Sequence, residues 1–288
     1  MIYYLPIIFC VSALSSCYTT TPKYLFAPNS ANLLQIEKKG DVKTAINYAQ
    51  SKHVRNNDNS PSKQSSNGID IQTAFSVIKH VTVKVDLFKK WEIDKALNND
   101  QANLSRYKIN YQRQGTVISI GYYKFFDKTK KILFNIDGGI GLGKTSFNGT
   151  YRKNAITKYF YSANNSTLLV TPSLKFKVSK NYNLTLAYRF SSTAFSKIIT
   201  NDSTLTKDLY ASFANKNSIY GDIIIENDFG FNSLQGIRFH WQLGMSNLYT
   251  HFSYEPSSSS QSFVDQYEYN NSFGSIGIVA DLKKIFKK

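Results

Sequence analysis

Cysteine is nearly absent from this chain: its 288 residues hold two, Cys10 and Cys17. Both precede the folded body, which therefore has neither a disulfide nor a thiolate metal site. Long apolar runs are missing too. Past the N-terminus no stretch reaches the 18 or so apolar residues of a spanning helix, which excludes a helical membrane protein but not a β-barrel. Acids are scarce, 19 Asp plus Glu against 35 Lys plus Arg, for a formal charge of +16. Histidines number four, and no Gly-x-Ser-x-Gly, His-Glu-x-x-His, phosphate-loop or Cys-cluster pattern occurs. No catalytic, cofactor-binding or metal-ligating residue is assigned on that basis, and no enzyme is expected. Aromatics, in contrast, are plentiful: 20 Tyr and 20 Phe, a load that argues against disorder despite the charge.

Ile2 to Leu14 form an apolar run followed by Ser15, Ser16 and Cys17, which reads as a secretory signal over residues 1–16, removed from the mature protein. Leu14-Ser15-Ser16-Cys17 also resembles a bacterial lipobox, whose cysteine is acylated and becomes the new N-terminus. That makes Cys17 the candidate lipidation site; ordinary cleavage between Ala13 and Ser16 is the alternative. Several palmitate-like chains, at about 0.8 kcal/mol per buried CH₂, would hold the protein on a membrane. No Lys or Arg precedes the apolar run, which a misassigned start codon would explain. Residues 17–40 then form the lipidated Cys and a periplasmic tether, with Pro22, Pro28 and Asn29 keeping it irregular.

From Asp41 onward, apolar and polar residues alternate in ten runs, the period of strands with two unlike faces. The runs are 42–48, 68–78, 81–87, 115–122, 134–143, 168–177, 183–190, 222–231, 237–246 and 275–282. Short links join them at Lys79-His80, Asp127 to Lys131, Ser179 to Asn181 and Asn232 to Gln235. Long polar segments lie between, at 50–67, 91–113, 147–167, 192–218 and 249–271. An even strand count with short turns at one end and long loops at the other predicts an all-β fold. It is a single antiparallel up-and-down transmembrane β-barrel of about ten strands, with short periplasmic turns and long extracellular loops. The barrel is expected over 41–283, with a basic tail at 284–288.

The polar face identifies which side meets lipid. It carries Gly115, Gly121, Gly139, Gly141, Gly143, Gly244 and Gly277, a poor choice for a wet strand surface but useful where a narrow lumen must fit large neighbours. Tyr122, Tyr123, Phe125, Phe126, Phe229 and Phe231 gather near short turns, as interfacial girdles do. Acids on the same face are Asp70, Asp86, Asp137, Asp222, Glu226, Asp228 and Asp281; bases are Lys43, Lys84, Lys175, Lys177, Arg189 and Arg238. This near balance predicts a paired network filling the lumen, whereas an ion-selective pore favours one sign. Ten strands enclose little space, so the lumen is expected to be plugged or very narrow.

All the excess positive charge, about +17, therefore lies elsewhere by this assignment of faces. Lys79, Lys128, Lys130, Lys131, Lys180, Lys283, Lys284, Lys287 and Lys288 fall at the turn end; Lys52, Arg55, Lys63, Arg106, Lys108, Arg113, Arg152, Lys153 and Lys158 fall in loops. The sharper partner they suggest is outer-membrane lipid, including lipopolysaccharide phosphates, at about 1 kcal/mol per base. Nucleic acid is not expected for an exported chain. His240, facing Asp222 and Glu226, and His251, opening an outward loop, are the residues an enzyme reading of acyltransferase or protease type would need. Gly138 to Lys144 mimics a phosphate loop but lacks its spacing and its helix. A third reading is a periplasmic lipocalin-like barrel with an apolar ligand inside.

The Leu14–Cys17 box, the Pro28–Gly40 stretch ending Glu37-Lys38-Lys39-Gly40, and Gly68 to Phe75 resemble small outer-membrane β-barrel lipoproteins of Bacteroidota. Gly115 to Phe126 and Leu133 to Lys144 look similar as well. The resemblance spans most of the chain and implies a barrel fold and outer-membrane residence. It carries over no catalytic residue.

Overall fold

A computed structural model of the chain describes residues 29–55, 62–96, 106–152, 156–200, 218–231, 233–248 and 270–286. Ten strands are found among them: β1 (Val42–Arg55), β2 (Ser62–Phe75), β3 (Val81–Ala96), β4 (Arg106–Phe125), β5 (Ile132–Arg152), β6 (Ile156–Lys177), β7 (Tyr182–Thr200), β8 (Ser218–Gly230), β9 (Ile237–Leu248) and β10 (Asn270–Asp281). Each pairs antiparallel with its sequence neighbour, and β1 pairs with β10 to close the barrel, Ile46 facing Ile278. One helical turn, α1 (Leu282–Ile285), follows β10, started by the Asp281 side chain accepting from the Lys284 N–H. The expected closed up-and-down barrel and its strand count are what the chain forms.

Side chains alternate as the two-residue period demands. Ile69, Ile118, Ile140, Leu168, Ile223 and Ile276 stand on the outward face, each 45% exposed or more. Their inward neighbours Asp70, Ser119, Gln242 and Ser275 are at most 5% exposed. A barrel that is apolar outside and polar inside is the reverse of a water-soluble one. Near the short-turn end an outward aromatic belt forms, Phe126 stacked on Phe134 at 5.6 Å and Phe231 edge-on to Phe239 at 5.6 Å. Tyr123, grouped by sequence with that belt, points inward and is 2% exposed.

Four sequence expectations need correction. Three of the five long polar segments are mostly strand: β5 and β6, for example, pair out to Arg152 and Ile156, leaving 153–155 between them, where a loop of 147–167 was expected. Beyond the apolar belt polar residues enter the outward face as well, beside apolar ones such as Trp91 and Ile93, so alternation weakens in the sequence while the backbone ladder continues. Only the 201–217 and 249–269 connections remain long. The Lys79-His80 turn is in fact a five-residue link, 76–80, with His80 at φ 69°. Arg113, expected in a loop, lies inside the barrel against Glu92 at 3.1 Å.

The fourth difference concerns the tether. Of residues 17–40, those from Asn29 to Ile36 run through the lumen, and from Ser30 to Ile36 none exceeds 9% exposure. This strap is held in two apolar clusters. Leu34 and Ile36 pack with Ala45, Ala74, Tyr123, Leu133 and Val279; Ala31 and Leu33 pack with Ala187, Ile224 and Phe273. The strap leaves the lumen at a bend where Gly40, at φ 77°, donates to the Ser76 carbonyl at 2.8 Å.

Candidate functional site

The strap is gripped by its carbonyls. Arg189 on β7 donates to the Asn29 carbonyl at 2.8 Å, Gln72 on β2 to that of Ser30 at 3.3 Å, and Gln242 on β9 to that of Ala31 at 2.8 Å. Lys84 on β3 donates to the Asn32 carbonyl at 3.0 Å and Lys43 on β1 to that of Gln35 at 2.7 Å. Gln242 also accepts from the Ala31 N–H at 3.0 Å. Side chains add to this: Ser30 donates to Asp70 and Asn32 to Asp86.

Magnitudes show that both kinds of contact are needed. Burying Leu33, Leu34 and Ile36 contributes about 5–9 kcal/mol, while fixing the eight backbone residues from Asn29 to Ile36 costs roughly 8–16 kcal/mol. Five carbonyl bonds, three from charged donors, contribute about 5–12 kcal/mol and close that gap.

Around the strap the lumen charges pair. Lys84 meets Asp137 at 2.6 Å, Lys90 meets Asp70 at 3.5 Å, and Arg189 meets Asp222 at 2.6 Å. Arg238 pairs with Asp228, and Lys175 sits 3.9 Å from Asp228 and 3.7 Å from Glu37. Glu37, at the foot of the strap, also accepts from Lys177 at 2.6 Å. Burial works against its ionisation, yet Lys175, Lys43 and Lys177 outweigh that and hold its carboxyl at about 2. The expected network is therefore present, and it grips a segment of chain as well as itself. Lys90, Glu92, Arg113 and the strap escaped the sequence reading. The cluster Leu33-Leu34-x-Ile36 inside a supposed tether was the signal available for the strap.

Two cavities flank the strap. On the long-loop side, one of about 150 Å³ is floored by Asn29 to Asn32, with Asp70, Asp137, Asp222, Phe88, Leu169 and Phe195 among its walls. On the short-turn side, one of about 310 Å³ includes Glu37, Lys43, Lys175 and Asp281.

His240 meets Glu226 through Nδ1 at 3.2 Å and Asn47 through Nε2 at 2.5 Å, and the residue is 4% exposed. Asp222, its other sequence-suggested partner, is taken by Arg189. His251 and Cys17 lie outside the described residues. No group of three or more His, Cys, Asp or Glu among the described residues is arranged to hold a metal ion. Lys79, Lys128, Lys130, Lys131, Lys180, Lys283 and Lys284 are exposed around the short-turn end.

No protein-family model matches the chain, and no curated protein matches it. Solved barrels do. The translocator domain of the autotransporter NalP from Neisseria meningitidis superposes with a TM-score of 0.50 at 10% identity, covering 86% of this chain and 90% of that one. The outer-membrane protease OmpT from Escherichia coli gives 0.46 at 8% identity, over 86% and 99%. The β domain of the Bordetella autotransporter BrkA gives 0.47 at 7%, over 85% and 100%. At such identities the likeness concerns the fold alone: a closed antiparallel up-and-down β-barrel.

Proposed function

We propose that this protein is an outer-membrane β-barrel lipoprotein, acylated at Cys17, whose lumen is closed by its own strap. Its role is structural or one of surface interaction, exercised at the long-loop end. The observation that carries the reading is the inside-out barrel: Ile, Leu and Phe ring its outer surface, while ion pairs and the strap fill its interior. Such an exterior needs hydrocarbon around it, and such an interior leaves no wide aqueous path.

The two long connections, 201–217 and 249–269, join β7 to β8 and β9 to β10 at the end opposite the short turns. The exposed lysines at the short-turn end suit anionic lipid headgroups, and Lys108 on the opposite side suits lipopolysaccharide phosphates. An apolar-ligand barrel would need its apolar face inside, and an enzyme built on His240 would need a ring nitrogen open to substrate. Both ring nitrogens face acceptors within the wall.

The test has three readouts on the full chain. Heat-modifiable gel migration and fractionation with the outer membrane are expected. So is incorporation of labelled palmitate that Cys17→Ser abolishes. Recovery in the soluble periplasmic fraction would defeat the reading.

A further inference from the structure

Strap polarity carries one more step. Glu37 meets Lys175 and Lys177 at the short-turn end, and Asn32 meets Thr73 and Asp86 further in. Asn29 meets Arg189, seven residues up β7 from its short-turn end at Tyr182. Read backwards from Asp41, the chain thus climbs away from the short turns, and at Asn29 it is still climbing.

Between Asn29 and the short-turn cavity the lumen has no room for a returning strand. Ala31, Leu33 and Ile36 of the strap, and Ala74, Leu133 and Gln242 of the wall, are each at most 2% exposed. Above Asn29 lies the long-loop cavity, with Asn29 itself in its floor. Its walls combine apolar Phe88, Leu169 and Phe195 with Asp70, Asp137 and Asp222. Each of those three carboxylates keeps one buried oxygen without a hydrogen-bond partner. A further stretch of peptide suits that lining: N–H groups for the carboxylates, and apolar side chains for the aromatic wall. Lys23-Tyr24-Leu25-Phe26-Ala27-Pro28 comes next in the sequence.

The geometry points to this cavity as the seat of residues 23–28, so that the chain threads the barrel and Cys17 stands at the long-loop end, on the cell exterior. The placement of its acyl group there rests on the lipoprotein reading; the threading does not. Reach is sufficient. From Arg189 to the end of β7 at Thr200 is 11 residues of tilted strand, and the 11 residues 18–28 span up to about 36–40 Å when extended. All ten strands surround the strap, so it must be in place before β1 zips to β10. The barrel thereby carries its own N-terminus through the membrane as it closes.

The full chain is tested in the outer membrane with an epitope inserted after Thr20, and with controls in 201–217 and in the Asp127–Lys131 turn. Antibody should bind the Thr20 epitope on intact cells, as it binds the 201–217 control. Binding only after permeabilisation, as for the turn control, would overturn the proposal. Because an inserted epitope can itself block threading, a second measurement uses a cysteine pair in a Cys17→Ser background. Phe26→Cys should cross-link to Phe195→Cys and not to Lys180→Cys; the opposite pattern overturns the proposal. So does an adduct of twice the chain mass through Phe195→Cys, which would place a second copy in the cavity. Palmitate labelling separates the two readings. Surface epitope without acyl label leaves threading standing and removes the lipoprotein, while acyl label with a periplasmic epitope does the reverse.

Discussion

The Lys84 ammonium lies 2.6 Å from an Asp137 carboxylate oxygen, with both side chains sealed from solvent and the strap carbonyl of Asn32 as the third member. β3 and β5, which carry the pair, are separated by β4, so the contact crosses the lumen wall rather than following a strand ladder. Removing one member leaves a buried charge without its counterion, at a cost of about 3–5 kcal/mol. Lys84→Met should lower the midpoint of the heat-induced gel shift substantially. The double change Lys84→Met with Asp137→Leu should recover much of that loss. A Lys84→Met midpoint equal to wild type would show the pair to be dispensable.

The strap should behave as core, not as linker. Leu33→Ala and Ile36→Ala each truncate a fully enclosed side chain, a change that costs about 2–5 kcal/mol. Unfolding of the detergent-solubilised protein in denaturant measures this. Deleting 29–36 should go further and permit ion current across planar bilayers, where the intact protein should pass none.

Gly277 and Gly138 make a paired test of the two faces. A Cβ on Gly277 would lie 1.9 Å from the Asn47 amide oxygen and 2.6 Å from His240 Nε2, whereas one on Gly138 meets nothing within 4 Å. Overpacking of this kind costs about 1–3 kcal/mol, so Gly277→Ala should destabilise. Gly138→Ala should be neutral or better, since glycine weakens a strand. Equal melting of the two variants would contradict this packing.

A charge on the outer face tests the hydrocarbon contact. Ile118 and Ile140 are register partners on β4 and β5, 50% and 58% exposed. Arg at such a position near the bilayer midplane costs about 2–4 kcal/mol. Ile140→Arg should therefore reduce folding into lipid vesicles, yet an arginine on a water-facing surface would leave it unchanged.

Acid should loosen the foot of the strap. Glu37 has its carboxyl lowered from 4.5 to about 2 by the surrounding lysines, so the folded state prefers the ionised form more than the unfolded chain does. Its contribution is complete above pH 4.5 and is lost as pH falls through about 2. Stability measured across that window should fall less steeply for Glu37→Gln than for wild type. The same slope in both would remove Glu37 from the account. Asp127, in the β4–β5 turn, is held at about 2 by Thr129 and by the Ile132 and Lys131 N–H groups, and it titrates in the same window. The comparison with Glu37→Gln separates the two.

How much was legible beforehand follows from periodicity. Val83 and Val85 beside Lys84, or Ile237 and Phe239 beside Arg238, announce strand and face together, because one residue's shift would move every apolar side chain to the wrong side. His240 was correctly placed on the lumen face, but which acid it meets depends on the stagger of β8 against β9, and it is Glu226. Lys90 and Glu92 alternate with the exposed Trp91 and Ile93, but that run falls in a stretch read as loop; Arg113 sits between Gln112 and Gln114, where no one-dimensional pattern distinguishes inside from outside.

By itself the sequence determined ten strands, their up-and-down order and the apolar exterior, since alternation over a few residues is a local property that any register preserves. Only the tertiary structure decided which charges pair in the interior and that a strap shares it with them. A strap such as Ser30 to Ile36 has no period and no partner within its own segment. Its grip by Arg189, Gln242, Lys84 and Lys43 exists only once barrel closure brings β7, β9, β3 and β1 around one axis.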